Sequence, residues 1–224
     1  MSDYSSKTKC YHMTKVDNLC SISKLGLVPG NGENSKLIND EKVKVFFSEG
    51  FTGAIALYVD FNIVYNQVKQ KEIILNDYQL EQKVLTSDCL EDYLGDGIYL
   101  SFDMGEITNE RNFENGCTDQ VISPDIINVV VLKDEEGNII SYSRFDIIHY
   151  MMSVTPLNDI KYYGVTYPNS PTFQEATIRI QGKVGKYYKQ NQNLIEHYKD
   201  HHYQLDEVPL ISFVDDYKNN KKCL

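Results

Sequence analysis

Three short stretches hold residue types that could act on one ligand. The first is "YHMTKVDNLCSISKLGL", where Thr14 follows His12 by two positions and Asn18 follows it by six. An imidazole at a strand end can donate and accept hydrogen bonds, and a helix start behind it offers backbone N–H groups, a fair place for a ribose and a phosphate. The second is "VFFSEGFTGAIALY", where Phe46 or Phe47, followed by Ser48, offers a π face for a flat ring. Tyr99 in "GDGIYLSF" is a rival for that role. The third is "NGCTDQVISPDIINVVVL", where Asp119 and Gln120 precede an apolar run and Glu114 stands just ahead. Glu175, in "TFQEATIRI", is a fourth polar candidate. Each has a plainer reading. A lone strand histidine is most often a satisfied core or surface residue, and Thr14 and Asn18 can be local caps. Phe46, Phe47 and Tyr99 can be core aromatics. Glu114 and Asp119 can be solvated loop charges, and Glu175 a charge in a helix's first turn.

The elements that must position these groups read as follows. Lys9 to Thr14 is a strand, and Asp17 can cap a helix over Asn18 to Leu25 with Leu19, Ile22 and Leu25 on one face. Gly26 ends that helix, and Pro29, Gly30 and Gly32 make a loop. Residues 43–50 form a strand closing in a turn, 53–70 have helical spacing, and 71–94 are helical in part. "DGIYLSF" is a strand, and the segment from Asp103 to Gln120 is a polar loop. "INVVVLKDEEGNIISYS" reads as two strands joined at Glu136-Gly137. "RFDIIHYMMSV" is a short amphipathic helix, and 162–167 is strand-like. Residues 173–203 are mostly helical, and "YKNNKK" is a frayed tail. The expectation is an α+β protein: a mixed-sheet core over 1–145 and a helical C-terminal portion over 146–224 packed on it.

Composition narrows the function classes. The net charge of −10 disfavours broad binding to nucleic acid, where Lys and Arg must replace counterions. Arginines stand only at 111, 144 and 179, too few for a clamp of several on a phosphate. No apolar run approaches the ~20 residues of a membrane span, and "MSDYSSKTKC" lacks a signal core, so a cytoplasmic protein, or one exported by an unusual route, is expected. The five cysteines, at 10, 20, 89, 117 and 223, contain no CxxC pair, so neither a disulfide framework nor a zinc site is indicated. "HYKDHHY" sets His197 and His201 one helical turn apart, but it lacks a third ligand, and a solvated helix face is the plain reading. "PGNGENS" lacks the ending of a phosphate loop. Tyr187, Tyr188, Tyr198, Tyr203 and Tyr217 suit helix packing, or a surface for a protein partner.

The first stretch resembles the opening of the ADP-ribosyltransferase fold, in the diphtheria-toxin-like branch that includes the poly(ADP-ribose) polymerases and the bacterial DNA ADP-ribosylating toxins. His12, Thr14, Asn18-Leu19, Ile22 and Gly26-Leu27 carry the likeness. It implies that His12 hydrogen-bonds the nicotinamide ribose of NAD and that Thr14 lies near the adenosine side. It also implies a second strand, that of Phe46, Phe47 and Ser48, whose aromatic stacks on nicotinamide; Tyr99 sits in wording close to the polymerase pattern. The family's third element is a Glu at the start of a strand that polarises the ribose and stabilises an oxocarbenium-like transition state. Here Gln120 holds that position with Asp119 beside it, and a Gln can bond a ribose hydroxyl but carries no charge. The RNA 2′-phosphotransferases share the fold, but the scarcity of arginine ranks them lower. The resemblance spans about the first 135 residues. The expected function is NAD-dependent mono-ADP-ribosyl transfer to a protein or nucleic-acid acceptor, with a toxin or phage-defence setting compatible. The alternatives are an inactive NAD- or ADP-ribose-binding module and a plain protein-interaction domain. Which of Glu114, Asp119, Gln120 and Glu175 completes the site stays open.

Overall fold

The computed structural model describes residues 9–30, 43–49, 68–72, 74–103, 105, 110–112, 115–154 and 186–221. The chain is mixed helix and strand, with antiparallel pairing in its described ladders. It divides into two compact units, each drawn from separated stretches of sequence. The first holds Met1–Phe51, Ile98–Val130 and Asp206–Leu224; the second holds Thr52–Gly97 and Val131–Leu205.

In the first unit, strand β1 (Lys9–Lys15) runs through a 3-10 turn (Val16–Asn18) into helix α1 (Leu19–Leu25), and strand β2 (Val45–Glu49) follows. Strands β3 (Gly97–Asp103), β4 (Glu110–Asn112), β5 (Asn115–Thr118) and β6 (Asn128–Lys133) complete the order β4-β5-β2-β1-β3-β6, and β8 (Gln204–Pro209) also pairs with β6. Every residue of β3 except Asp103 is buried, as expected of a strand covered on both faces. Helix α1, the 3-10 turn Pro124–Ile126 and the last helix, α6 (Leu210–Lys221), pack on one another. Leu19, Ile22, Ile127, Leu210, Phe213 and Val214 supply buried side chains there. The Leu210 amide donates to the Ile127 carbonyl at 3.0 Å.

Gly26 ends α1 at φ +76°, and a Cβ on it would stand 2.1 Å from the Ile122 carbonyl oxygen. That close approach admits the two bonds that join Leu27 to Ile122, at 3.0 and 3.1 Å.

The second unit contains a helical turn over 68–71, helices α2 (Asp77–Val84), α3 (Ser87–Leu94), α4 (Arg144–Val154) and α5 (Gln192–Asp200), and strand β7 (Ile139–Ser141) against the end of β6. The β6–β7 turn forms where the Glu136-Gly137 signal lies: Gly137 has φ +86°, and the Asp134 carboxylate accepts from the Asn138 amide at 2.8 Å. Thr86 caps α3 by accepting from the Cys89 amide at 3.3 Å.

Several expectations change. Asp17 does not cap α1: a 3-10 turn precedes the helix, and its N-cap is Asn18, whose side chain makes no capping bond. Leu25 is 62% exposed rather than buried beside Leu19 and Ile22. The supposed polar loop before Gln120 holds the hairpin β4–β5, whose edge strand is too short and polar to show alternation. Helix α4 keeps the amphipathic spacing expected of it, with Phe145, Ile148, His149 and Met152 buried along one face, although Ile147 is buried outside that stripe. The C-terminal portion is not wholly helical, because β8 lies in it and joins the sheet, and "YKNNK" is the last turn of α6 rather than a frayed tail. Most of the helix expected over 53–70, the strand-like 162–167 and most of 173–203 lie outside the described residues. Among the described residues no helix is long and apolar enough to cross a membrane.

Candidate functional site

Side chains of a strand alternate in direction, so Cys10, His12 and Thr14 share one face of β1 and Lys9, Tyr11 and Met13 the other. Cys10 is fully buried and stands opposite Glu49 on β2, while Tyr11 stands opposite Ser48. Directly opposed residues share a face, so Phe47 and Val45 belong to the His12 face. The described ladder between β1 and β2 consists of those two pairs. One residue further along β1, the His12 Nδ1–H donates to the Phe46 carbonyl at 2.8 Å.

That bond fixes the ring. A carbonyl only accepts, so Nδ1 carries the proton and Nε2 keeps a lone pair. His12 is half-buried as a residue, and desolvation of its ring lowers its pKa against the opposing pull of the Phe46 carbonyl. A neutral imidazole with an oriented acceptor nitrogen suits a ligand hydroxyl. Two positions on, Thr14 Oγ1 accepts from Asn18 Nδ2 at 3.0 Å. The 3-10 turn folds Asn18 back over the end of β1, which is why its side chain meets the strand instead of capping α1.

Phe47 is 2% exposed and packs edge-to-face on Phe102, with ring centroids 5.6 Å apart at 81°. Its ring is committed to the core, whereas Phe46 is half-buried. Tyr99 lies three positions before Phe102 on β3, hence on the opposite face of that strand, and is itself buried. Phe47 and Tyr99, the two rivals for a stacking role, therefore lie on opposite faces and do not flank one ring. Ser48 is placed by its backbone, between Tyr11 on β1 and Asn115 on β5.

Strand β5 pairs with the other edge of β2, with Val45 opposite Thr118 and Phe47 opposite Gly116. Thr118 is buried, and its Oγ1 accepts from the Gln120 amide at 3.1 Å. That bond turns the chain out of the sheet and leaves the Asp119 and Gln120 side chains exposed. Two strand spacings separate β1 from β5, roughly 10 Å. His12, Thr14 and Asn18, then Phe46 and Phe47, then Asp119 and Gln120 thus come from three neighbouring strands. Glu114 and Glu175 lie outside the described residues.

Other candidate groups do not join this site. A hollow of about 230 Å³ in the second unit is lined by Val68, Lys71, Glu72, Lys83 and Cys89 among others, and shares no residue with it. Burial pushes the Cys89 thiol up, away from a reactive thiolate. In "HYKDHHY" the His201 Nδ1–H donates to the His197 carbonyl at 2.7 Å, on an exposed helix end. Among the described residues no group of three or more His, Cys, Asp or Glu could hold a metal ion. Tyr187 and Tyr198 are buried, which spends two of the C-terminal tyrosines on packing.

Sequence reasoning missed His149, which lies in the stretch read simply as a short amphipathic helix. It is fully buried on α4. Its Nδ1–H donates to the Phe145 carbonyl at 2.6 Å and its Nε2 accepts from the Tyr187 hydroxyl at 2.6 Å. Beside it, the Asp146 carboxylate accepts from the Ser141 and Tyr198 hydroxyls. Burial pushes His149 down to about 4, against the smaller opposing effects of the Phe145 carbonyl and Asp146. With no open face this network is structural. No protein-family model, no curated protein and no solved structure matches the chain.

Proposed function

We propose that the chain is an NAD-dependent mono-ADP-ribosyltransferase whose acceptor is a macromolecule. The observation that carries this reading is adjacency. The three stretches that resemble the diphtheria-toxin-like ADP-ribosyltransferases stand on β1, on β2 and just after β5, and those strands are neighbours in the sheet. The residues fit a nucleotide ribose: neutral His12 offers Nε2 as an acceptor for a ribose hydroxyl, held in place through Nδ1–H and the Phe46 carbonyl. Phe46 serves this site through its backbone carbonyl, because its ring belongs to the opposite face of the sheet, and Phe47, the β2 aromatic on the His12 face, is packed on Phe102. NAD supplies the ADP-ribosyl group, with nicotinamide as leaving group. The chain's part is to orient the ribose at His12 and to set Asp119 and Gln120 towards positive charge developing on the sugar. Asp119 is the charged group of that pair. Gln120 hydrogen-bonds without charge.

One observation favours a second reading, a nucleotide-binding module without turnover. The position that the family fills with Glu holds Gln120, whose backbone is fixed by Thr118 and whose side chain is exposed. Calorimetric titration of NAD, with nicotinamide release followed on the same sample, separates the two. Binding with release supports the transferase. Binding without release supports the module. Absence of binding contradicts both.

A further inference from the structure

The Asn18–Thr14 hydrogen bond sets the polarity of a hydroxyl on the face that His12 occupies. Asn18 Nδ2 donates to Thr14 Oγ1 at 3.0 Å, so the Thr14 proton must point away from Asn18. Among the described residues no acceptor is paired with that proton. His12 and Thr14 lie on the same side of β1, about 7 Å apart at two strand rises. The face therefore carries an acceptor at His12 Nε2 and a donor at Thr14 O–H.

We infer that Asn18 is a positioning residue rather than a ligand: by spending its amide on Thr14, it makes the Thr14 hydroxyl a fixed donor to an acceptor atom on the adenosine side of NAD. The inference rests on the NAD reading above. It revises the role expected of Asn18, whose side chain does not itself reach for the nucleotide. It also defines the ligand class that the strand reads, a dinucleotide presenting a ribose hydroxyl to His12 and an acceptor atom of its adenosine side to Thr14.

The test is equilibrium titration of NAD into wild type, Asn18→Asp, Thr14→Val, Thr14→Ser and the double variant Thr14→Val/Asn18→Asp, with the melting temperature of each. Aspartate cannot donate, so it takes the Thr14 proton for itself and reverses the bond. Asn18→Asp is expected to bind NAD about tenfold more weakly, the worth of one hydrogen bond, with its melting temperature nearly unchanged. Thr14→Val is expected to lose a similar factor, Thr14→Ser to retain wild-type binding, and the double variant to bind no more weakly than Thr14→Val. If Asn18→Asp matches wild type, or if the two losses multiply in the double variant, the role of Asn18 is overturned. Multiplied losses would assign the effect to the added charge. Wild type that does not bind NAD overturns the NAD reading and this inference together.

Discussion

Two histidines in this chain lose their proton to the same cause and serve different ends. His12 and His149 each donate through Nδ1 to a backbone carbonyl, and burial lowers the pKa of both. His149 is fully enclosed, with Nε2 bonded to Tyr187, Phe145 tilted against it, Tyr198 stacked on it, and Asp146 nearby. Its protonation therefore acts on stability. The folded state holds its pKa near 4 against 6.5 when unfolded, so the unfolded chain binds the proton first. Stability from this group is full above pH 6.5 and falls as the pH drops towards 4, by roughly 3 kcal/mol at 1.4 kcal/mol per pH unit. Thermal melts from pH 7 to 4 should show that slope in wild type and a shallower one in His149→Gln. Equal slopes would remove His149 as the source. The two histidines also differ in legibility. His12 could be singled out because polar Thr14 and Asn18 accompany it, whereas His149 sits among apolar residues and its partner Tyr187 is far along the chain.

At the scale of elements, β2 divides its two phenylalanines between core and face. Phe47→Ala should cost about 3–5 kcal/mol, because it removes a buried ring packed on Phe102. Phe46→Ala should cost clearly less in urea unfolding and leave NAD binding nearly unchanged, because its ring faces away from His12 and its carbonyl is kept. The opposite ranking would mean that the strand's facing has been misread. The junction between the end of α1 and the segment after β5 is equally specific. Gly26→Ala sets a Cβ against the Ile122 carbonyl at a left-handed φ, and should destabilise by more than about 1 kcal/mol in the same assay. An unchanged midpoint would show that the junction yields. β1, α1, β3 and the β6–β7 hairpin were legible because their apolar patterns and glycine punctuation agree. β4, β5 and β8 were not. They are short and polar, and what makes them strands is pairing with partners distant in sequence, at Phe46↔Cys117 for example. The α1 start was misplaced because Asn18 serves Thr14 and not the helix.

For the molecule as a whole, pattern suggested one cut near residue 145, whereas the compact units interleave: the first takes up the chain's end, and the second takes residues 52–97 with 131–205. Such a division depends on long-range strand pairing, which period and composition do not register. The same pairing bears on function, since β5 reaches β2 and sets the Gln120 segment within two strands of His12. The net charge of −10 argues against broad phosphate contacts with nucleic acid. The central claim is that His12 holds the ribose of NAD, and its most direct test is NAD titration into wild type and His12→Ala. Wild type is expected to bind, and His12→Ala to lose tenfold or more in affinity with its fold retained by circular dichroism. Equal affinity for the two proteins would contradict the claim.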